Sequence, residues 1–321
     1  MDKISTTAFA ILTLLSADAS AAFRADVVAA PPKDASDYSW GCRLSGGMLN
    51  GEANENIFWY DAARNRAPLS ELDWDLENVY MVGGNGSLRM QRLSVNLGAW
   101  VAVSEGDGGH MQDYDWMQFG DAQWTHFSDS RSDVAGGWIL DLNAGWDFVQ
   151  DPEGLTLRGL LGYKMNVWEW EAYGGYALYP EYGYAPHQFD EKAIGIKYEQ
   201  DLYIPYVGLD LDWFIWHMNL SAYVLYSPLV YADGYDQHLE RGTELNATFS
   251  QGDMLGAGLA AKYTFGSGVF ISAAVDYQSI DRIIGDLTLV EKSTGKTWAY
   301  PDFAGIENSY AAFSLGLGMV F

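Results

Sequence analysis

A chain of 321 residues with 18 Lys plus Arg against 43 Asp plus Glu carries a formal net charge of -25. That charge repels phosphates, which excludes nucleic acid as a partner, and it favours cationic peptides or proteins instead. The single cysteine, Cys42, rules out an internal disulfide, so stability has to come from hydrogen bonding and packing.

The first segment, MDKISTTAFAILTLLSADASAA, combines Lys3, an apolar run from Ala8 to Leu15 and small residues at Ala19, Ala21 and Ala22. This pattern predicts a cleaved secretory signal over 1–22, with the mature chain starting near Ala22 or Phe23 and one domain over 23–321. The apolar run is too short to span a bilayer, and no later stretch supplies the roughly eighteen apolar residues a transmembrane helix needs. If the chain enters a membrane, it does so as a barrel. The aromatic content, 15% with 13 Trp and 21 Tyr, suits the girdles at which such a barrel meets lipid headgroups.

Strand periodicity supports that class. Trp138, Leu140, Leu142, Ala144, Trp146 and Phe148 alternate with Asp141, Asn143, Gly145 and Asp147, the period of two expected for apolar-outward and polar-inward strands. The last residues repeat it, with Phe313, Leu315, Leu317, Met319 and Phe321 against Ser314, Gly316 and Gly318. Turn signals between such segments predict an all-β fold, a ten-stranded antiparallel transmembrane β-barrel with long extracellular loops. The strands are expected near 41–58, 69–83, 88–104, 135–149, 155–173, 192–203, 205–231, 254–265, 269–289 and 305–321. Short turns are expected at GGNGS (Gly83 to Ser87), QDPEG (Gln150 to Gly154) and GSG (Gly266 to Gly268), and long loops around 105–134, 174–191, 232–253 and 290–304. Pro205 and the WFIWH stretch around Trp213 leave the sixth and seventh boundaries open between a turn and an aromatic girdle.

Two acid pairs fall in or beside those loops. In GGHMQDYDWM, Asp113 and Asp115 stand two apart, and in GYDQHLERG the same spacing separates Asp236 from His238. On extended backbone, residues two apart face one side about 6.5 Å from each other. If both pairs face the lumen, four titratable groups converge there. Asp236 can fix the tautomer of His238 and stabilise its cation, making His238 a candidate general base toward water. Neighbouring carboxylates raise each other's proton affinity, so Asp113 or Asp115 can hold the water and share a proton. Spacing alone leaves two other readings open, solvated loop acids and an Asp/His metal site, although no HExxH or Cys cluster accompanies the latter.

GGHMQDYDWM followed by WTHFSDS, AIGIKYEQ with IPYVGL, DQH and finally AGIENSY before a Phe-terminated strand resembles the omptin family of outer-membrane endopeptidases, in order over nearly the whole mature chain. The resemblance implies a ten-stranded barrel in the outer membrane whose active site opens to the extracellular side and cleaves peptides at or between basic residues. It makes Asp113 with Asp115 one catalytic couple and Asp236 with His238 the other, with the nucleophilic water between them. Glu55, in NGEANENIF, matches the acidic residue that would pair with a substrate Arg or Lys. Basic peptides or proteins are the expected substrates, outer-membrane lipid the surroundings, a monomer the expected state, and no cofactor or metal is expected.

The sequence departs from the family's pattern at three places. The acid usually found two residues before the aspartate of DxH is replaced by Gly234, with Asp233 one step further away. The Tyr-x-Glu-x-Arg lipopolysaccharide clamp reads Tyr163, Met165 and Val167 here, so that glycolipid stays open as an activator. His126 stands where the family tends to have an acid after WT and reads as a plain loop residue. His110, His187 and His217 lack partners at ligand-like spacing, and Cys42 reads as a small strand residue. The rival reading is a non-catalytic barrel, an adhesin or a pore.

Overall fold

The computed structural model describes residues 23–26, 38–103, 109–151 and 154–321. The expected signal over 1–22, Gly108 and part of the QDPEG turn lie outside them. Twelve strands follow in order: β1 (Tyr38–Tyr60), β2 (Arg66–Met90), β3 (Leu93–Ala102), β4 (His110–Asp115), β5 (His126–Gln150), β6 (Leu155–Leu178), β7 (His187–Gln188), β8 (Ile194–Ile215), β9 (Met218–His238), β10 (Thr243–Thr264), β11 (Val269–Glu291) and β12 (Lys296–Val320). A short 3-10 helix, Pro180–Tyr182, sits between β6 and β7. β3 and β4 both pair with β2 and β5, so they form one interrupted stave, and two-residue β7 only flanks β6. Ten long antiparallel staves therefore close into a barrel through β1 and β12, and closure pairs every main edge, as a hydrocarbon environment demands. Among the described residues no helix is long and apolar enough to cross a membrane.

The alternation read from the sequence maps onto the wall as expected. Leu140, Leu142, Trp146 and Phe148 point outward, whereas Asp141, Asn143 and Asp147 are buried in the lumen. Leu315, Leu317 and Phe321 face outward on β12, and Trp40 stacks on Phe321 with ring centroids 3.9 Å apart at the end of the barrel where the chain termini of the wall meet. Above this apolar belt the outer face turns polar, with Asp73, Asp75, Arg131, Glu169 and Asp233 on rungs beyond Tyr80, Val101 and Tyr231.

Three expectations are corrected. First, the strands run far beyond the belt. β2 has 25 residues, whereas about 9–11 suffice to cross a bilayer. Segments expected as long loops, 232–253 and 290–304, are strand apart from turns at 239–242 and 292–295, and the 105–134 region contains β4 and the start of β5. Asp113, Asp115, Asp236 and His238 are accordingly strand residues, not loop residues. On β10 above the belt Leu245, Ala247 and Phe249 face inward and the outer face meets water, so the apolar-outward pattern inverts although the ladder continues, and the expected strands end too early.

Second, GGNGS is not a turn. Gly83 and Gly84 lie mid-strand on β2, where a Cβ on Gly83 would stand 2.1 Å from the Ala99 carbonyl oxygen. These glycines permit close strand approach, and the chain reverses instead at Gln91–Arg92, with Gln91 at φ 52°. Third, Pro205 lies inside β8 rather than between strands. The β8–β9 register shifts between Tyr203 and Val207, a bulge that spares a ladder hydrogen bond at proline, and the reversal falls at Trp216–His217.

The lumen is layered. Nearest the short-turn end lies an ion-pair network: Arg158 Nε donates to Asp147 (2.7 Å) and Nη1 to Asp212 (2.9 Å), Arg89 also binds Asp147, and Arg24 reaches Asp210 (3.1 Å). Above it Trp74, Trp100, Trp168, Trp170 and Tyr198 pack with Phe23 into a buried aromatic layer. Tyr198 stacks on Trp74 at 5.4 Å and on Trp170 at 5.5 Å. The acid pairs stand on top of that layer.

Candidate active site

Asp113 and Asp115 point inward from β4, where Asp113 pairs in register with Leu72 of β2 and Ser128 of β5. Both are buried, 5% and 8% exposed, and Ser70 Oγ donates to Asp113 Oδ1 at 3.3 Å. Burial, reinforced by the charge of Asp115, pushes the Asp113 carboxyl up to about 7, against the opposing pull of His238 and Arg241. Burial raises Asp115 as well.

On the opposite wall, Asp236 and His238 project inward from the end of β9. The His238 ring Nε2 lies 2.8 Å from Asp236 Oδ2. With Nε2–H donated to that carboxylate, Nδ1 is left as the basic nitrogen. Burial alone would lower the imidazole, but the hydrogen bond and charge of Asp236 outweigh it, and His238 titrates above the usual histidine range. Asp236 is 1% exposed, and its Oδ1 accepts no hydrogen bond.

The two walls meet in one cavity of about 380 Å³, lined among others by Asp113, Ser128, Tyr179, His238 and Arg241. Asp113 and His238 act on each other electrostatically across it, and Asp113 is likewise within range of Asp115. The four sequence-selected residues are thus brought together from opposite sides of the lumen. A neutral imidazole nitrogen facing a partly protonated carboxyl pair can take one proton from water and return another to a leaving group. Among the described residues no three His, Cys, Asp or Glu side chains are grouped to hold a metal ion.

Glu55 on β1 is 6% exposed, and its Oε2 has no hydrogen-bond partner. Burial, with Asp236 and Asp113 as like-charged neighbours, raises its carboxyl well above the ordinary glutamate range. A buried acid with a free oxygen beside two other acids can pair with a cation. Gly234 also faces the lumen, where a Cβ would meet the Tyr198 hydroxyl and the Phe249 ring at 3.6 Å, ordinary van der Waals contact.

The remaining histidines separate. His126 pairs in register with Asp115 and its Nε2 lies 3.4 Å from Glu181, so it borders the cleft rather than an isolated loop. His110 Nδ1 has a partner after all, Asp129 at 2.6 Å on the outer face. His187 stacks on Tyr182 at 4.3 Å, while His217 lies with Tyr263 at the opposite, short-turn end. Sequence reasoning missed Ser70, Tyr198 and Arg241. Ser70 and Tyr198 are recruited from other strands by register, Tyr198 opposite Asp236, which no local motif encodes. Arg241 stood in view within DQHLERG, and its signal was proximity to the histidine.

The chain has relatives among known outer-membrane proteases. The chain is 30% identical over 311 residues to the plasminogen activator of Yersinia pestis, covering 96% of each chain. It is 27% identical to the outer membrane protease OmpP of Escherichia coli (strain K12), covering 86% of this chain and 88% of that one. The fold is similar to the crystal structure of the outer membrane protease OmpT from Escherichia coli, with a TM-score of 0.81 at 21% identity over 88% of this chain and 97% of that chain. The family model described as the Omptin family matches residues 37–321, and the chain belongs to the omptin family of outer-membrane proteases.

Proposed function

We propose that the protein is an endopeptidase of aspartyl type that cleaves peptides at or between basic residues, with Asp113, Asp115, Asp236 and His238 activating a water. The observation that carries this reading is the Asp236–His238 hydrogen bond of 2.8 Å opening onto the same cavity as the proton-holding Asp113. His238 Nδ1 takes the proton of the attacking water, Asp236 stabilises the imidazolium that results, and the Asp113–Asp115 pair orients the water and shares the second proton. Glu55 receives the substrate guanidinium or ammonium, whose charge would keep its carboxylate ionised.

With position 234 a glycine, one acid is missing beside Glu55, so the preference is for one basic residue rather than strictly for two. The cleft opens at the extracellular end, beyond the apolar belt. Replacing Asp236 or His238 by Ala is expected to abolish cleavage of a dibasic fluorogenic peptide while the folded barrel persists, as read by heat-modifiable migration on gels. Unchanged cleavage in both variants would favour the non-catalytic barrel, and loss of wild-type activity with EDTA would favour metal-dependent hydrolysis.

A further inference from the structure

The short segment Phe23–Asp26 runs inside the barrel and is held at every residue. Ala25 donates its N–H to Asp141 Oδ2 (2.9 Å) and accepts from Asn143 Nδ2 (2.7 Å). Arg24 binds Asp210 at 3.1 Å and lies 4.0 Å from the centre of the Tyr223 ring. Asp26 takes Arg43 at 2.9 Å and Asn85 Nδ2 at 2.6 Å. The Phe23 ring, fully buried, sits 6.0 Å from that of Trp100 in the aromatic layer.

One carboxylate near this segment is unaccounted for. Asp276 of β11 is 3% exposed, yet neither of its oxygens has a hydrogen-bond partner. Lys164, which acts on it electrostatically, is committed to the Tyr310 hydroxyl at 2.7 Å. The other favourable groups acting on Asp276 are Arg24, whose guanidinium is engaged by Asp210 at 3.1 Å, and the backbone N–H of Phe23. A buried carboxylate whose neighbouring cations are both committed elsewhere is costly, and a cation at the Phe23 nitrogen would reduce that cost. Phe23 is also the first residue after the small-residue run that ends at Ala22.

We propose that signal removal falls between Ala22 and Phe23 and that the new α-ammonium of Phe23 pairs with Asp276, making the first four residues of the mature chain an internal lock on the barrel. A membrane signal peptidase adds water across the Ala22–Phe23 peptide bond. The carboxylate leaves on the released segment, and the amine of Phe23, protonated, stays in the lumen. The lock does not depend on the proteolytic reading, because it lies beneath the cleft and contributes nothing to the reacting atoms.

Three measurements test it, none of them proteolysis. The intact mass of the protein isolated from outer membranes should correspond to a chain beginning at Phe23. A start anywhere else, Ala22 included, overturns the proposal. An amine-acylating reagent should spare the Phe23 amine in the folded barrel and modify it after unfolding, while exposed lysines react in both. Equal labelling of that amine in the folded state overturns the ion pair. Asp276→Asn, and separately a refolded chain with one added Met before Phe23, should each lower the thermal unfolding midpoint by several degrees. Combined, they should cost little more than either alone, because they break one contact. Fully additive losses, or no loss with the added Met, would overturn it, and the second variant serves if the first does not fold.

Discussion

Replacing Asp236 by asparagine keeps side-chain shape and an acceptor toward His238 while deleting the charge. Both partners are largely desolvated, with side chains 1% and 13% exposed, so screening is weak. At an effective dielectric near 20, opposite charges about 4 Å apart attract by about 4 kcal/mol. The asparagine carbonyl retains part of the hydrogen bond, so the imidazolium formed during water activation loses about 3 kcal/mol, or roughly a hundredfold in rate. The pH profile moves too. In the wild type the base is neutral only above its raised value, so activity climbs through a pH above 6.5. Without the carboxylate, burial prevails and lowers the imidazole, and the acid limb shifts to lower pH even as the plateau drops. The assay is kcat/KM for a fluorogenic Arg-containing peptide from pH 5 to 9. A plateau within threefold of wild type, or an unmoved acid limb, would refute the assignment of His238 as the base held by Asp236.

Glu55→Gln should reduce kcat/KM for peptides with Arg at the cleavage site by roughly 10- to 100-fold, as the loss of a charge-assisted pair implies, and should spare a peptide with a neutral residue there; a uniform loss would argue against Glu55 as the specificity group. Gly234→Asp should sharpen the preference for dibasic over monobasic peptides in a library profile, since a Cβ there meets its neighbours only at ordinary contact distance and the carboxylate restores an acid two residues before Asp236. Asp113 titrates in the fold near 7 against 3.8 in the unfolded chain, so its contribution is full below pH 3.8 and is lost as pH rises through about 7. Asp113→Asn should therefore raise the free energy of unfolding at pH 8, by about 4 kcal/mol at most, and by much less at pH 4, while inactivating the enzyme. On the outer wall Glu199 faces Glu169 across the β6–β8 ladder, and Asp201 faces Asp233 across β8–β9. Burial and the charges of Asp201 and Glu169 hold Glu199 above the ordinary glutamate range, so lipid A phosphates are expected to be repelled there. Cleavage by the refolded protein should then change less than threefold on adding lipopolysaccharide.

Much of the barrel was legible because lipid enforces contrast. Leu140, Leu142, Trp146 and Phe148 meet hydrocarbon while Asp141, Asn143 and Asp147 meet polar lumen, and the period of two is unmistakable. Where the wall rises into water, Asp73 and Asp75 face out while Trp74 and Leu76 face in, and the polarity of the alternation inverts. Where the same inversion falls on 243–250, with Leu245, Ala247 and Phe249 inward, a rule of apolar residues outward reads strand as loop. The Asp236–His238 contact follows from the pleat and needs no tertiary knowledge, whereas the partnership of Ser70 with Asp113, or Tyr198 with Asp236, depends on the register between two strands, which the long staves, the interruption between β3 and β4 and the bulge at Pro205 hide from local motifs. Nothing in Phe23–Asp26 advertised an internal segment: four residues carry no periodicity, and their partners Asp141, Asp210 and Arg43 are scattered over three strands.

The tall wall also sets a standoff. From Tyr231, at the upper rim of the apolar belt, to Asp236 is five residues, about 16 Å along the strand. The cleft thus opens above the headgroups while the Asp236–His238 pair itself stays buried below the rim, so whatever reaches that pair enters from the extracellular end.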